Sequence, residues 1–167
     1  MLFLGGARSG KSRLALQAAV ALAGPGQRIF VATAQALDGE MAKRISAHRA
    51  ARDKSWRTVE EPLAIRPVIE AGLPEEVLLV DCLTLWLSNL LAARPQEAEA
   101  EIKKLAEAVG RSPRHLVLVA NEVGLGIVPD NPLARRFRDL AGWLNQEVAE
   151  VVDEVFLVVA GQSLRLK

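Results

Sequence analysis

The chain has 167 residues, half of them hydrophobic and a quarter charged, with a net charge of +1 at pH 7. That length suits a single domain, residues 1–167, with a sizeable core; the even charge balance excludes a disordered chain and argues against a dedicated nucleic-acid binder, which carries a basic surplus. One cysteine, Cys82, and two histidines, His48 and His115, allow no intramolecular disulfide and too few ligands for a zinc site, as expected in a reducing, cytoplasmic setting.

In chain order, short apolar runs alternate with segments of helical period. The runs are 2–4, 29–31, 77–80, 116–119 and 155–159, rich in branched or aromatic residues and without polar alternation. Strands covered on both faces read this way. None approaches the roughly 20 apolar residues that span a bilayer, and no basic leader or signal-peptide core precedes Gly5. Helices are predicted over 11–23, 38–52, 96–109 and 132–150. Ile102, Leu105, Ala106 and Val109 form one apolar stripe, and Leu133, Phe137, Leu140, Leu144 and Val148 form another. The last helix has Asn131 as N-cap and Pro132 at its first position. Strand–helix alternation predicts an α/β fold with a mostly parallel central sheet and helices on both faces. The tail 162–167 carries no signal and is expected to stay clear of any site.

The first strand runs into Gly5-Gly6-Ala7-Arg8-Ser9-Gly10-Lys11-Ser12, which satisfies G-x-x-x-x-G-K-[ST] between a strand and a helix. Glycines let the chain curl so that successive N–H groups face phosphate oxygens, and the helix N-terminus adds its partial positive charge. Lys11 is the candidate for the β- and γ-phosphates and the Ser12 hydroxyl for Mg²⁺. The run 77–80 ends in Asp81, a second candidate for Mg²⁺. The fold expected is therefore the three-layer type of P-loop NTPases. No N-K-x-D strand end is present, and Asn121-Glu122-Val123-Gly124 lacks both the lysine and the aspartate, which disfavours a switch GTPase. Cys82 reads as a small buried hydrophobe.

In the helix predicted over 38–52, capped by Asp38, Met41, Ile45, His48 and Arg52 share one face and Arg44 lies on its shoulder. Packing of Met41 and Ile45 draws His48 and Arg52 toward the body of the protein, where Arg52 needs an anion, either a phosphate or a carboxylate. His48 is a structural or surface histidine, or a nucleophile whose neutral imidazole attacks phosphorus. His115 reads as structural.

These segments together resemble the bifunctional adenosylcobinamide kinase / adenosylcobinamide-phosphate guanylyltransferase family. The likeness runs from Gly5–Arg13 through Ala32-Thr33-Ala34 and Glu40-Met41…Arg44-Ile45…His48…Arg52 to Trp56-Arg57-Thr58…Glu60. It continues through Asp81-Cys82-Leu83-Thr84, the segment 121–129 and Arg135…Asn145-Gln146, and so spans essentially the whole chain. The resemblance implies phosphorylation of adenosylcobinamide by ATP or GTP, then transfer of GMP from GTP, through a covalent GMP–histidine, to adenosylcobinamide phosphate. It also implies His48 as the guanylylated residue, with Lys11 catalytic beside it. Nucleotide contacts would come from Gly5, Gly6, Ala7, Arg8, Ser9, Gly10, Lys11, Ser12, Ala32, Thr33, Ala34, Arg49, Ala50, Ala51, Arg52, Glu60 and Asp81. Mg²⁺ would bind at Ser12 and Asp81, and Glu60 is expected to accept hydrogen bonds from guanine or ribose.

The two reactions present different phosphorus atoms to their acceptors, so the His48 helix is expected to move, with Gly39 as a hinge. A homo-oligomer, a ring-like trimer, is implied too, with Trp86, Leu87 and Leu91 either at its interface or in the core. Arg135, Arg136 and Arg138 either approach the substrate or form a solvated face. Three rival readings stay open: a kinase for another small metabolite, a regulatory ATPase without an acceptor, and a nucleotide-binding module without catalysis.

Overall fold

The computed structural model describes residues 1–23, 26–36, 39–50 and 52–167, except the side chains of Glu40, Ala42, Arg44, Ala47 and His48. Asp38 and Ala51, a predicted cap and a predicted nucleotide contact, therefore lie outside the described residues, as does the His48 side chain.

The strands are β1 (Leu2–Gly5), β2 (Arg28–Ala32), β3 (Trp56–Glu60), β4 (Val77–Asp81), β5 (His115–Asn121), β6 (Val155–Val159) and β7 (Gln162–Arg165). They form one sheet in the order β3-β2-β4-β5-β1-β6-β7, parallel throughout except for β7, which pairs antiparallel with β6. Every apolar run read as a strand is one. Two strands have no such run: β3, at the sheet edge, has no buried residue, and β7 is exposed along its whole length.

The strands lack polar alternation because each of their faces meets a different core. Leu2, Ile29, Val31, Leu78, Val80, Leu116 and Leu118 pack with α3 (Ile65–Glu70), α4 (Leu83–Ala93), α5 (Ala98–Arg111) and α6 (Pro132–Val151). Phe3, Phe30, Val77, Leu79, Val117 and Val119 pack against α1 (Lys11–Ala23). On α1 the residues facing the sheet are Ala15, Ala19 and Ala23, whose small side chains bring the helix backbone close.

Trp86, Leu87 and Leu91 are buried in the α4 core, which removes them from any interface between copies. The α6 start is as expected: the Asn131 Oδ1 accepts from the N–H groups of Leu133 at 2.7 Å and Ala134 at 3.3 Å. The remaining helix, α2 (Gly39–Ala50), is the histidine helix. At the opposite end of the sheet from β1's glycines, Arg114 is buried against Glu76 at 2.9 Å, and His115 opens β5 there in an exposed position. His115 is thus remote from the strand ends described next.

Candidate active site

The phosphate-loop sequence leaves β1 and curls into α1 as its glycines predict. Arg8 and Gly10 have positive φ, 57° and 96°, and only glycine adopts the second without cost. A side chain at Gly5 would collide with the carbonyl of Val158 on the neighbouring strand. Lys11 is buried, and its Nζ donates to the Gly6 carbonyl at 3.0 Å, which holds the ammonium at the loop mouth. The Ser9 hydroxyl is buried and has no hydrogen-bond partner among the described residues. A buried polar atom without a partner is costly in a finished core and suits a loop shaped for an oxygen-rich anion.

Strand register brings the other residues level with this loop. Ala32 on β2 pairs with Glu60 on β3 and with Asp81 on β4, so three predicted residues stand in a row across three strand ends. Asp81 does not lie on the strand beside β1, because β5 intervenes, and Asn121 at its end pairs with Gly5. One cleft is lined by Lys11, Ser12, Asp81 and Asn121 together with Met41 and Ile45 of α2 and Arg52. Phe30, Ala32, Ala34, Cys82 and Leu85 complete it.

Arg52 answers the question its burial posed. Its guanidinium lies 3.7 Å from the centroid of the Phe30 ring, a cation–π contact. Burial first, and then the neighbouring Arg49, lower its pKa; the Asp81 carboxylate opposes both. Arg49 itself pairs with Glu60, and both side chains are about two-thirds exposed, at 63% and 64%.

Thr33 is fully buried, and its hydroxyl is engaged twice: it donates to the Cys82 carbonyl and accepts from the Cys82 N–H, each at 2.8 Å. Its side chain therefore ties β2 to β4. Asn89 extends the tie by donating to the carbonyls of Thr33 at 2.8 Å and Pro62 at 3.1 Å. Thr84 accepts from the Asn121 N–H at 2.6 Å. Asn89 lies in no sequence motif, and Thr84 and Asn121 lie within segments that carry the family likeness, which implies no role for them; all three act by bridging strand ends that are distant in sequence.

Cys82 is buried, and burial, helped by Asp81, raises its thiol pKa to about 11. It stays protonated at neutral pH and accepts from the Leu85 N–H at 3.4 Å as the cap of α4, which suits a structural residue and not a nucleophile. The basic start of α6 is occupied internally as well: Arg135 donates to the carbonyls of Pro129 and Asp130, and Arg136 to that of Pro95.

The tail expected to stay clear of the site forms β7, and the turn before it reaches the phosphate loop. The Gly161 N–H donates to the Ser9 carbonyl at 2.8 Å. That contact joins residues 152 positions apart (161 minus 9), beyond the reach of a local sequence pattern.

A family model described as cobinamide kinase / cobinamide phosphate guanyltransferase matches residues 1–166. A Pseudomonas aeruginosa relative named bifunctional adenosylcobalamin biosynthesis protein CobP is 52% identical, over 99% of this chain and 96% of its own length. The Escherichia coli protein named bifunctional adenosylcobalamin biosynthesis protein CobU is 43% identical, over 100% of this chain and 99% of its own. A solved structure from Pyrococcus horikoshii OT3 aligns over 99% of this chain and 84% of its own with a TM-score of 0.53; at 13% identity it speaks for the fold alone.

Proposed function

The chain belongs to the cobinamide kinase / cobinamide phosphate guanyltransferase family, and from that premise we propose how one cleft serves both reactions. The activity is bifunctional: phosphorylation of cobinamide, then transfer of a guanylyl group to cobinamide phosphate, in adenosylcobalamin biosynthesis. In this reading residues 1–167 act as one domain, and Gly5 to Ser12 bind the triphosphate of ATP or GTP. Lys11 gives up its bond to the Gly6 carbonyl and neutralises the β- and γ-oxygens.

Ser12 and Asp81 would hold Mg²⁺. A hydroxyl, one carboxylate and phosphate oxygens form the oxygen donor set this ion takes. Among the described residues no group of three or more His, Cys, Asp or Glu could bind a metal, consistent with an ion that relies on the nucleotide. When bound, it supplies charge neutralisation at the phosphates.

In the guanylyl step the neutral imidazole of His48 forms a nitrogen–phosphorus bond at the α-phosphorus of GTP. The bond to the bridging oxygen breaks, and pyrophosphate leaves. A phosphate oxygen of cobinamide phosphate then attacks the same phosphorus, the nitrogen–phosphorus bond breaks, and His48 is regenerated. The observation that carries this reading is the shared cleft: α2, the helix to which His48 belongs, contributes Met41 and Ile45 to the same lining as Lys11, Ser12 and Asp81. Arg52 then exchanges its contact with the Phe30 ring for the nucleotide's phosphates, and Glu60 releases Arg49 to accept from guanine or ribose.

We place the pivot for moving α2 between the two reactions at Gly39, where nothing lies within 4 Å of a would-be side chain. A GTP complex with α2 unmoved and bonded through His48 would overturn that. For the homo-oligomer, the exposed apolar residues Leu125 and Ile127 offer a contact surface; a solution mass of three chains supports the trimer and a monomer mass rejects it. No described helix is long and apolar enough to cross a membrane, and a cytoplasmic site of action is part of the same proposal.

The experiment is to incubate the protein with Mg²⁺ and GTP labelled at the α- or the γ-phosphate, denature it, and measure retained label. Acid-labile α-label that is absent from His48→Ala is the expected result. Protein that binds GTP and retains no α-label would overturn the role of His48.

A further inference from the structure

The loop that holds the phosphates is braced from outside by the hairpin between β6 and β7. Val159 pairs with Gln162, so the turn consists of Ala160 and Gly161 alone. Both have positive φ, 51° and 77°, the signature of a tight turn that follows the twist of its strands. This turn meets the phosphate loop at two points and the first turn of α1 at a third. The Gly161 N–H donates to the Ser9 carbonyl at 2.8 Å. The Arg13 guanidinium, at Nη2, donates to the Gly161 carbonyl at 3.2 Å. A side chain placed on Gly10 would sit 3.1 Å from the Gly161 Cα, so the two glycine backbones are in contact.

The consequence follows from peptide geometry. In a trans peptide the carbonyl of one residue and the N–H of the next point in opposite directions. Holding the Ser9 carbonyl toward the hairpin therefore turns the Gly10 N–H away from it, toward the inner side of the loop. A loop rich in glycine has little intrinsic preference for one peptide orientation, so an external partner decides it.

We propose that Gly161 is a positioning residue of the nucleotide site. With Arg13 it clamps the Ser9–Gly10 peptide so that the Gly10 N–H is preset toward the phosphates. The inference rests on the reading of residues 5–12 as the phosphate site, and it gives the exposed final hairpin a function in that site. Because the clamp acts through the phosphates alone, it affects every triphosphate alike and is blind to the base.

The test is equilibrium binding of GTP, ATP and inorganic tripolyphosphate, each with Mg²⁺, well below the unfolding temperature of every variant. Gly161→Val strains the positive φ and crowds the Arg13 guanidinium, 3.4 Å from the would-be Cβ, so it disturbs both halves of the clamp. Ala160→Gly alters the same turn without touching the clamp. We expect Gly161→Val to weaken all three ligands in parallel by about tenfold, the scale of one hydrogen bond to a charged group, and Ala160→Gly to bind as wild type. Arg13→Ala leaves the turn intact and carries the test if Gly161→Val does not fold: about threefold weaker binding, restored toward wild type in Arg13→Lys, the scale of one hydrogen bond. Unchanged binding in Gly161→Val, or in Arg13→Ala where that variant stands in, would overturn the inference, as would a loss confined to one nucleotide. Wild-type protein that binds none of the three ligands would overturn the phosphate-site reading itself, a result distinct from wild-type binding with indifferent variants.

Discussion

The two helices that border the cleft are held by different physics. Helix α1 lays Ala15, Ala19 and Ala23 against the sheet and starts from a buried lysine, and the loop before it is tied to β6 and the final hairpin. Helix α2 has no buried side chain among those described: Met41 and Ile45 are half-buried, and Arg49 reaches an exposed carboxylate. One wall of the site is therefore part of the core, and the other rests on it. A triphosphate needs a cradle that does not rearrange, because preset dipoles stabilise charge without reorganisation cost. A helix that moves between two reactions, as proposed for α2, benefits from contacts that are cheap to exchange.

Substitutions can break or sharpen this contrast. The largest effect is expected on the core side: Lys11→Ala should lower both kinase and guanylyl transfer rates by about 100-fold to 1000-fold, the scale of one lost electrostatic donor. Rate measurements at saturating nucleotide check it, and an unimpaired variant would remove Lys11 from the chemistry. Next comes Thr33→Val, which strands the buried Cys82 N–H while the Cys82 carbonyl keeps the Trp86 N–H at 3.2 Å; it should cost about 1–3 kcal/mol of stability in a denaturant titration. Smallest is Glu60→Gln on the α2 side. Its exposed pair with Arg49 is worth less than about 1 kcal/mol, so the unfolding midpoint should hardly move. GTP affinity should nevertheless fall relative to ATP; if both stay unchanged, Glu60 does not read the guanosine.

The turn from β1 into α1 was legible because its conformation is local: eight consecutive residues between a strand and a helix carry their own backbone instructions. The apolar runs were equally legible, since burial on both faces removes alternation whatever the strand order. Elsewhere the chain gave less. Glu60 sits on β3, an edge strand without an apolar run, and only its pairing with β2 puts it level with Ala32 and Asp81. Thr33 is a predicted nucleotide contact, yet its hydroxyl is committed to Cys82, a partner 49 positions away.

What the sequence determined by itself is a G-x-x-x-x-G-K-S turn between a strand and a helix, an α/β alternation and a helix carrying His48, because each rests on spacing within one segment. Tertiary structure decided that β5 separates Asp81 from the loop's own strand and puts Asn121 in the cleft. It decided too that Trp86 is core, and that Gly161 holds Ser9. Those outcomes depend on strand order and register, which many residues far apart in the chain set together and no short motif encodes.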